Sequence, residues 1–191
     1  MRRLVTILMF LVAGIGLGFL TASAAVDGDL GPSRITNGPW RTWLVSGATR
    51  VNPYVRAHFA LTGELPLRSS EVFILNANVD SEGDTLSGEC TYRIDSPQIA
   101  TRWWSLTVYD ANGQLIETPA RRYSFNSRNV LRGRNGDFTI RLSPQAQPGN
   151  WIPTGNAGRI LVTLRLYNAE AELGDNISTA PLPTIKRLEC V

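Results

Sequence analysis

Four side chains in the second half of the chain have the types and spacing of a ligand-binding wall. Trp103 and Tyr109 lie on one side of an alternating segment with hydroxyl residues between them, and Arg165 and Tyr167 alternate in a second such segment. If the two segments pair as neighbouring strands, aromatic rings, hydroxyl groups and one guanidinium line a single face. Mixed walls of this kind bind sugars or amphipathic groups. The alternative is that an N-terminal helix packs over this face and leaves no site.

A cluster of arginines is a second candidate site, in this case for an anionic partner. Its members fall within the 21 residues from 121 to 141 and are opposed only by Asp137. They are Arg121, Arg122, Arg128, Arg132, Arg134 and Arg141. We expect Arg122 and Arg128 to contribute to binding an anionic lipid, a polysaccharide or an acidic envelope protein. The alternative is a set of solvated side chains, some of them paired with carboxylates elsewhere in the fold.

No arrangement of residues in the sequence predicts a catalytic site or a metal centre. His58 is the only histidine, and its nearest acidic neighbour along the chain is Glu64, so we expect a surface or packed histidine. The sequence has no Gly-x-Ser-x-Gly segment, which many serine hydrolases require. Two widely spaced cysteines and one histidine do not make a metal ligand set. We therefore predict no catalytic residue, no metal and no cofactor, and we favour a non-enzymatic protein while leaving the question of an enzyme open.

The two cysteines, Cys90 and Cys190, are expected to form a disulfide. An even cysteine count in an exported protein usually indicates pairing. The bridge would close a loop of about 100 residues, for which chain entropy predicts at most roughly 4.7 kcal/mol of stabilisation. The alternative is two buried free thiols.

Residues 1–26 have the composition of an export segment. Arg2 and Arg3 precede an apolar run that continues to Leu20, and an Ala-x-Ala site follows at residues 22–24. The pattern is typical of a cleaved signal peptide, and the segment is also long enough to remain as an uncleaved membrane anchor. Under both alternatives the arginines stay in the cytoplasm and the rest of the chain crosses the membrane. The sequence therefore predicts a periplasmic domain, either anchored in the inner membrane or secreted to the periplasm.

The charge balance gives no support to a nucleic-acid partner. The formal net charge is +3, and subtracting the two arginines of the export segment leaves +1. A nucleic-acid-binding domain normally carries a much stronger basic excess. We predict no nucleic acid among the partners.

Hydrophobic periodicity predicts a mainly β domain over residues 52–191, after a linker over residues 27–51. Apolar residues alternate, as in strands, over residues 71–79, 86–94, 103–109, 138–142 and 159–167. Turn signals separate these segments at intervals of roughly ten residues, which favours an antiparallel β-sandwich of the jelly-roll type.

One short helix is predicted near residues 53–62. Asn52 can cap it, Pro53 suits its first position, and Gly63 suits the left-handed residue after its end.

A series of segments carries a resemblance to a known family, and two of them are specific together, 104–113 (W-S-L-T-V-Y-D-A-N-G) and 150–153 (N-W-I-P). The other segments of the series are 122–124, 127–128, 136–140, 164–167 and 182–187, and the helix at 52–57 (N-P-Y-V-R-A) is similar to that of the short, stand-alone members. Over roughly residues 65–188 the chain resembles the DUF1214 family, a bacterial domain of unknown function that often follows a DUF1254 domain. We expect a short, stand-alone member without the DUF1254 half. The resemblance implies a β-sandwich and an envelope location, and it supplies no reaction and no catalytic residue.

The sequence thus favours a non-enzymatic, ligand- or partner-binding β domain of the bacterial cell envelope that faces the periplasm. A hydrolase acting on envelope carbohydrate is the alternative, since that chemistry needs only two facing carboxylates. A third hypothesis is an assembly partner for another membrane protein. If uncleaved, the N-terminal segment makes the membrane itself a partner.

Overall fold

The computed structural model describes residues 2–26, 34–43, 53–63, 67–155 and 157–190. Within these ranges the helices are α1 (Arg2–Val26), α2 (Pro53–Thr62) and α3 (Ala171–Asp175). The strands are β1 (Arg34–Asn37), β2 (Trp40–Trp43), β3 (Val72–Ala77), β4 (Cys90–Ser96), β5 (Thr101–Asp110), β6 (Ser124–Asn126), β7 (Phe138–Ser143), β8 (Asn150–Pro153), β9 (Ile160–Ala169) and β10 (Thr184–Cys190). The mainly β class predicted from the sequence is confirmed.

The long strands β5 and β9 lie next to each other inside a six-stranded sheet. The sheet order is β1–β2–β3–β9–β5–β6, and all neighbouring strands are antiparallel. Leu106 and Leu164 are opposite one another and fully buried. Alternation of side chains then turns the intervening residues toward the outer face of the sheet, and this outer face carries the candidate wall.

A second sheet has the order β10–β4–β7–β8. Its first two pairs are antiparallel, as expected, whereas β7 and β8 are parallel. The loop at residues 144–149 connects these two strands, and Gly149 takes the left-handed conformation in it with φ 80°.

The two sheets face each other across one hydrophobic core. Trp104 of β5 stacks on Phe138 of β7 with ring centroids 4.5 Å apart. Buried residues from both sheets belong to one continuous cluster that includes Ile94, Ile140 and Leu164. This arrangement agrees with the predicted sandwich, and the jelly-roll connectivity stays a prediction.

The predicted disulfide is present between the last strand and β4. Cys190 and Cys90 are cross-strand neighbours and are bonded to each other.

Strand β4 begins at Cys90 and not at residue 86, because the chain turns just before it. In that turn the Gly88 amide donates to the carbonyl of Gly158 at 2.8 Å.

Part of the segment predicted as a linker is folded. Strands β1 and β2 form a hairpin that extends the six-stranded sheet through β3. Trp40 is 1% exposed, and its indole Nε1 donates to the carbonyl of Pro183 at 2.6 Å. The remaining linker residues, 27–33 and 44–51, lie outside the described residues.

The two N-terminal helices agree with the sequence in extent. Helix α2 spans the predicted residues, and Gly63 after it has φ 69°, the left-handed conformation expected there. Its predicted cap, Asn52, lies outside the described residues. Helix α1 has 25 residues, none of them buried, and an 18-residue stretch of it has a mean hydropathy of 2.4, so its length and composition suffice to cross a membrane. A signal sequence satisfies the same criterion.

Candidate functional site

Pairing of β5 with β9 brings the predicted wall together. Trp103 lies opposite Tyr167, and Tyr109 lies opposite Leu161. The rings of Trp103 and Tyr167 meet edge to face, with centroids 5.0 Å apart. The Arg165 guanidinium lies over the Tyr109 ring, 5.7 Å from its centroid, within the range of a cation–π contact.

This outer face forms a cleft of about 360 Å³, which we name the sheet-face cleft. Its lining residues are Val72, Ile74, Tyr109, Leu161, Thr163, Arg165 and Tyr167 from the sheet, with Gly63, Leu67 and Gly113 at its margin. The cleft is therefore mainly aliphatic and aromatic, with one cation. No carboxylate belongs to this described lining.

The end of helix α2 lies at the margin of this face. Gly63, at the end of α2, and Leu67 border the cleft, while Tyr109, Arg165 and Tyr167 keep part of their surface exposed. These three side chains are therefore not fully covered in the structure. The side chain of His58 lies outside the described residues.

A second cleft of about 380 Å³ lies where β5 extends past β6, and we name it the edge cleft. Strand β6 pairs only with residues 105–107 of β5, so the start of β5 has no neighbour from β6. The edge cleft is lined by Gln98, Ile99, Thr101, Arg102, Trp103, Trp104, Ser127, Arg128, Arg132 and Gly136. It holds three arginines, and no carboxylate belongs to this lining.

The six clustered arginines do not form a single patch. Arg128 and Arg132 line the edge cleft. Arg122 instead lies over the Phe125 ring at 5.8 Å and donates to the carbonyl of Trp151 at 3.4 Å. Arg141 donates to the carbonyl of Pro148 at 3.0 Å. Among the described residues, the ion pairs join Arg93 to Asp95 and Arg187 to Asp80 and Asp84, and none involves the cluster.

Carboxylates occur together in a third cleft, of about 450 Å³, beside the short helix α3. Glu170 and Glu172 both line it, and both are exposed. A glycosidase acid is normally held protonated by apolar surroundings, which exposed side chains lack. In the part of the chain that the structure describes, no three His, Cys, Asp or Glu side chains converge as metal ligands would.

The strongest electrostatic perturbation in the described residues lies away from all three clefts. Burial tends to raise the pKa of the Asp80 carboxyl, which is 2% exposed. Hydrogen bonds from the backbone N–H groups of Asp84 and Glu82 and from Arg187 outweigh this effect, so the pKa is below its ordinary value of 3.8. Because Arg187 belongs to β10, this carboxyl holds the last strand in place.

The structure thus divides the residues predicted for ligand binding into two groups. Tyr109, Arg165 and Tyr167 line the sheet-face cleft, and Trp103 and Arg128 line the edge cleft. Arg122 lines neither cleft.

Sequence reasoning missed Arg102 and Trp104 as lining residues and left Arg132 as one member of a diffuse cluster. The available signal was positional: Arg102 stands directly before the aromatic pair at 103–104. The start of β5 lacks a neighbouring strand on this side because β6 is short, and this is seen only in the structure.

Comparison with known proteins gives a family and a fold. A sequence profile described as "Protein of unknown function (DUF1214)" matches residues 71–171, just over half of the chain. Among curated proteins, none matches the chain.

Two solved crystal structures are similar. The VPA0106 protein from Vibrio parahaemolyticus has a TM-score of 0.60 at 22% identity, with 73% of this chain and 36% of that chain covered. An uncharacterized protein from Burkholderia cenocepacia has a TM-score of 0.49 at 15% identity, with 95% and 43% covered. At such identities the first likeness shows a shared fold alone, and the chain spans less than half the length of each.

Proposed function

The chain belongs to the DUF1214 family, whose function is unknown, and we therefore propose a function from its own surface. We infer that it is a non-enzymatic binding domain of the bacterial cell envelope. Its ligand is an amphipathic molecule with one acidic group, held in the sheet-face cleft.

One observation carries this proposal: a mainly apolar and aromatic cleft surrounds a single arginine. Its volume of about 360 Å³ falls in the range typical of small-molecule sites. The aliphatic side chains of Val72, Ile74 and Leu161 offer an apolar wall, and the two tyrosines offer rings with polar tips. Such a lining suits a ligand with an apolar or sugar body.

Arg165 supplies the specificity for an acidic group. Its guanidinium rests on the Tyr109 ring, and no ion pair or hydrogen bond joins its side chain to another described residue. A guanidinium fork pairs with a carboxylate or phosphate through two parallel hydrogen bonds. One cation in an apolar cleft therefore favours a ligand that carries one negative charge.

The envelope location rests on two features at the ends of the chain. Helix α1 begins with two arginines and is long and apolar enough to cross a membrane, and those arginines favour a cytoplasmic N-terminus. The Cys90–Cys190 disulfide suits an oxidising compartment such as the periplasm. Together they support a domain that faces the periplasm.

The hydrolase alternative has weaker support. The carboxylates that share a cleft, Glu170 and Glu172, are exposed and lie at the start of a short helix. The two clefts that carry aromatic side chains have none in their described lining.

A single probe tests both alternatives. Para-nitrophenyl β-glucuronide combines an aromatic group, a sugar and one carboxylate, and its hydrolysis releases coloured nitrophenol. We expect the full chain in neutral detergent to bind it saturably in saturation-transfer NMR and to release no nitrophenol. The variant Arg159→Gln, which removes an exposed arginine just before β9, should bind equally. Nitrophenol release that saturates with substrate would favour the hydrolase, and an absence of saturable binding would contradict the proposal.

A further inference from the structure

We propose that the edge cleft is a second binding site, separate from the sheet-face cleft, and that it binds a phosphoryl group. The residues that carry this inference are Arg102, Arg128, Arg132, Trp104 and Ser127.

The site exists because a sheet edge is left open. Strand β6 is only three residues long and pairs with Ser105–Thr107, so β5 continues beyond it through residues 101–104. The turn after β6 crosses this end of β5, and the Ser127 amide donates to the carbonyl of Trp104 at 3.0 Å. That turn carries Arg128 and the following loop carries Arg132, and both line the cleft together with Arg102 of the strand.

Arg132 is held in place before any ligand arrives. Its Nη1 donates to the carbonyl of Gly136 and its Nη2 to the carbonyl of Ser127, both at 3.1 Å. The same guanidinium lies 5.9 Å from the ring centroids of Trp104 and of Phe138. A guanidinium has five N–H donors, so these two bonds leave three of them unused. A fixed guanidinium loses little conformational entropy when it binds an anion.

The described lining of the cleft is cationic. Three arginines line about 380 Å³, and no carboxylate is among the described lining residues. None of the three belongs to an ion pair in this part of the chain. Like charges repel one another, whereas a bound anion is attracted by each of the three.

Trp104 adds a donor that lacks an acceptor. Its side chain is 1% exposed, and its Nε1 is one of only two buried side-chain polar atoms in the described residues without a hydrogen-bond partner. Buried donors in native proteins are almost always paired. Trp104 is also one of the residues that line this cationic cleft, and in the proposed complex an anionic oxygen would supply the acceptor.

The number of donors selects a phosphoryl group over a carboxylate. A phosphate monoester carries about −1.5 to −2 charge and three acceptor oxygens, which matches several guanidiniums, a hydroxyl and an indole N–H. The sheet-face cleft, with its single arginine, suits a monoanion instead. The phosphoryl group could come from a soluble phosphate ester or from a phospholipid head group, and the probes below distinguish these two sources.

The test is equilibrium binding of three probes to the full chain in neutral detergent, with phosphorus NMR as the measurement of binding. The probes are inorganic phosphate, glycerol phosphate and dihexanoyl phosphatidic acid. We expect saturable binding of at least one, weakened about tenfold or more by Arg132→Gln. Binding of all three identifies a soluble ester as sufficient, and binding of the phosphatidic acid alone identifies a lipid head group.

The controls separate this site from a general charge effect and from the proposed function. Arg134→Gln removes an exposed arginine of the same loop outside the cleft lining, and Arg165→Gln alters only the sheet-face cleft; both should leave phosphate binding unchanged. Arg128→Gln should weaken it without affecting folding, because no described hydrogen bond or ring contact involves that side chain. The inference is overturned if no probe binds, or if Arg134→Gln weakens binding as much as Arg132→Gln and Arg128→Gln do.

Discussion

Asp80 connects the last strand of the chain to the turn before β4. Its carboxyl accepts hydrogen bonds at 3.0 Å from the amides of Glu82 and Asp84 and at 3.2 Å from Arg187 on β10. Beside it, the Ser81 amide donates to the carbonyl of Ile185 at 2.8 Å. One buried carboxylate therefore organises both the turn and the strand that closes the small sheet.

This carboxylate makes stability sensitive to acid. Because the pKa of Asp80 is lowered in the folded protein, its contribution is complete above the ordinary value of 3.8 and disappears as the pH falls through the lowered pKa. We expect Asp80→Asn to reduce the free energy of unfolding at neutral pH and to make its fall in acid shallower. Denaturant titrations over this pH range measure both effects.

Asp175→Asn is the matched control, since Asp175 is exposed at the end of α3. This variant should have nearly the same free energy of unfolding at neutral pH as the wild type, and that free energy should fall in acid as steeply as in the wild type. An unchanged acid slope in Asp80→Asn would show that other carboxyls govern the response.

At the level of elements, the close approach of two turns fixes where β4 begins. The Gly88 amide bonds to the carbonyl of Gly158, and a Cβ at Gly88 would collide with the backbone of Ala157. Two backbones can approach this closely only where one residue lacks a side chain.

Gly88→Ala should therefore destabilise the fold by about 1–3 kcal/mol, the usual range for overpacking. Gly158→Ala is the control from the same contact, because nothing lies within 4 Å of a Cβ there. Urea unfolding of both variants measures the difference. Equal stability of the two variants would contradict a tight backbone contact at Gly88.

The sequence predicts those elements whose signals are local. Alternation identifies β5 and β9, and their pairing gives the wall containing Tyr109, Arg165 and Tyr167. Helix α2 follows from Pro53 and Gly63 at its two ends. The disulfide follows from the even cysteine count and the export segment.

The elements and the cleft that the sequence did not predict depend on contacts between distant parts of the chain. The β1–β2 hairpin looks polar in sequence, yet it is held by the bond from Trp40 to Pro183, 143 residues away in the chain. The edge cleft depends on where β6 stops along β5, which no periodicity encodes. For the same reason the sequence could not assign Arg102 and Arg132 to one site.

At the scale of the whole molecule, the two ends of the chain carry the case for export. The apolar helix α1 lies at the N-terminus, and the disulfide ties β10 to β4. If the domain reaches the periplasm, the bridge forms in the cell. We therefore expect neither cysteine to react with an alkylating reagent in freshly lysed cells until a reductant is added, as read by the mass of the full chain.

Cells that lack the periplasmic thiol oxidation system provide the control, in which both cysteines should react without reductant. Two reactive cysteines in ordinary cells would place the domain in a reducing compartment and contradict the proposed location.

The central claim is that Arg165 selects an acidic ligand in the sheet-face cleft. Its most direct test is the ratio of the dissociation constants of para-nitrophenyl β-glucoside and para-nitrophenyl β-glucuronide, which differ by one carboxylate. We predict that the wild type prefers the glucuronide by about tenfold or more, as a charge-assisted hydrogen bond would give, and that the preference disappears in Arg165→Gln. A preference that persists in Arg165→Gln would contradict the claim.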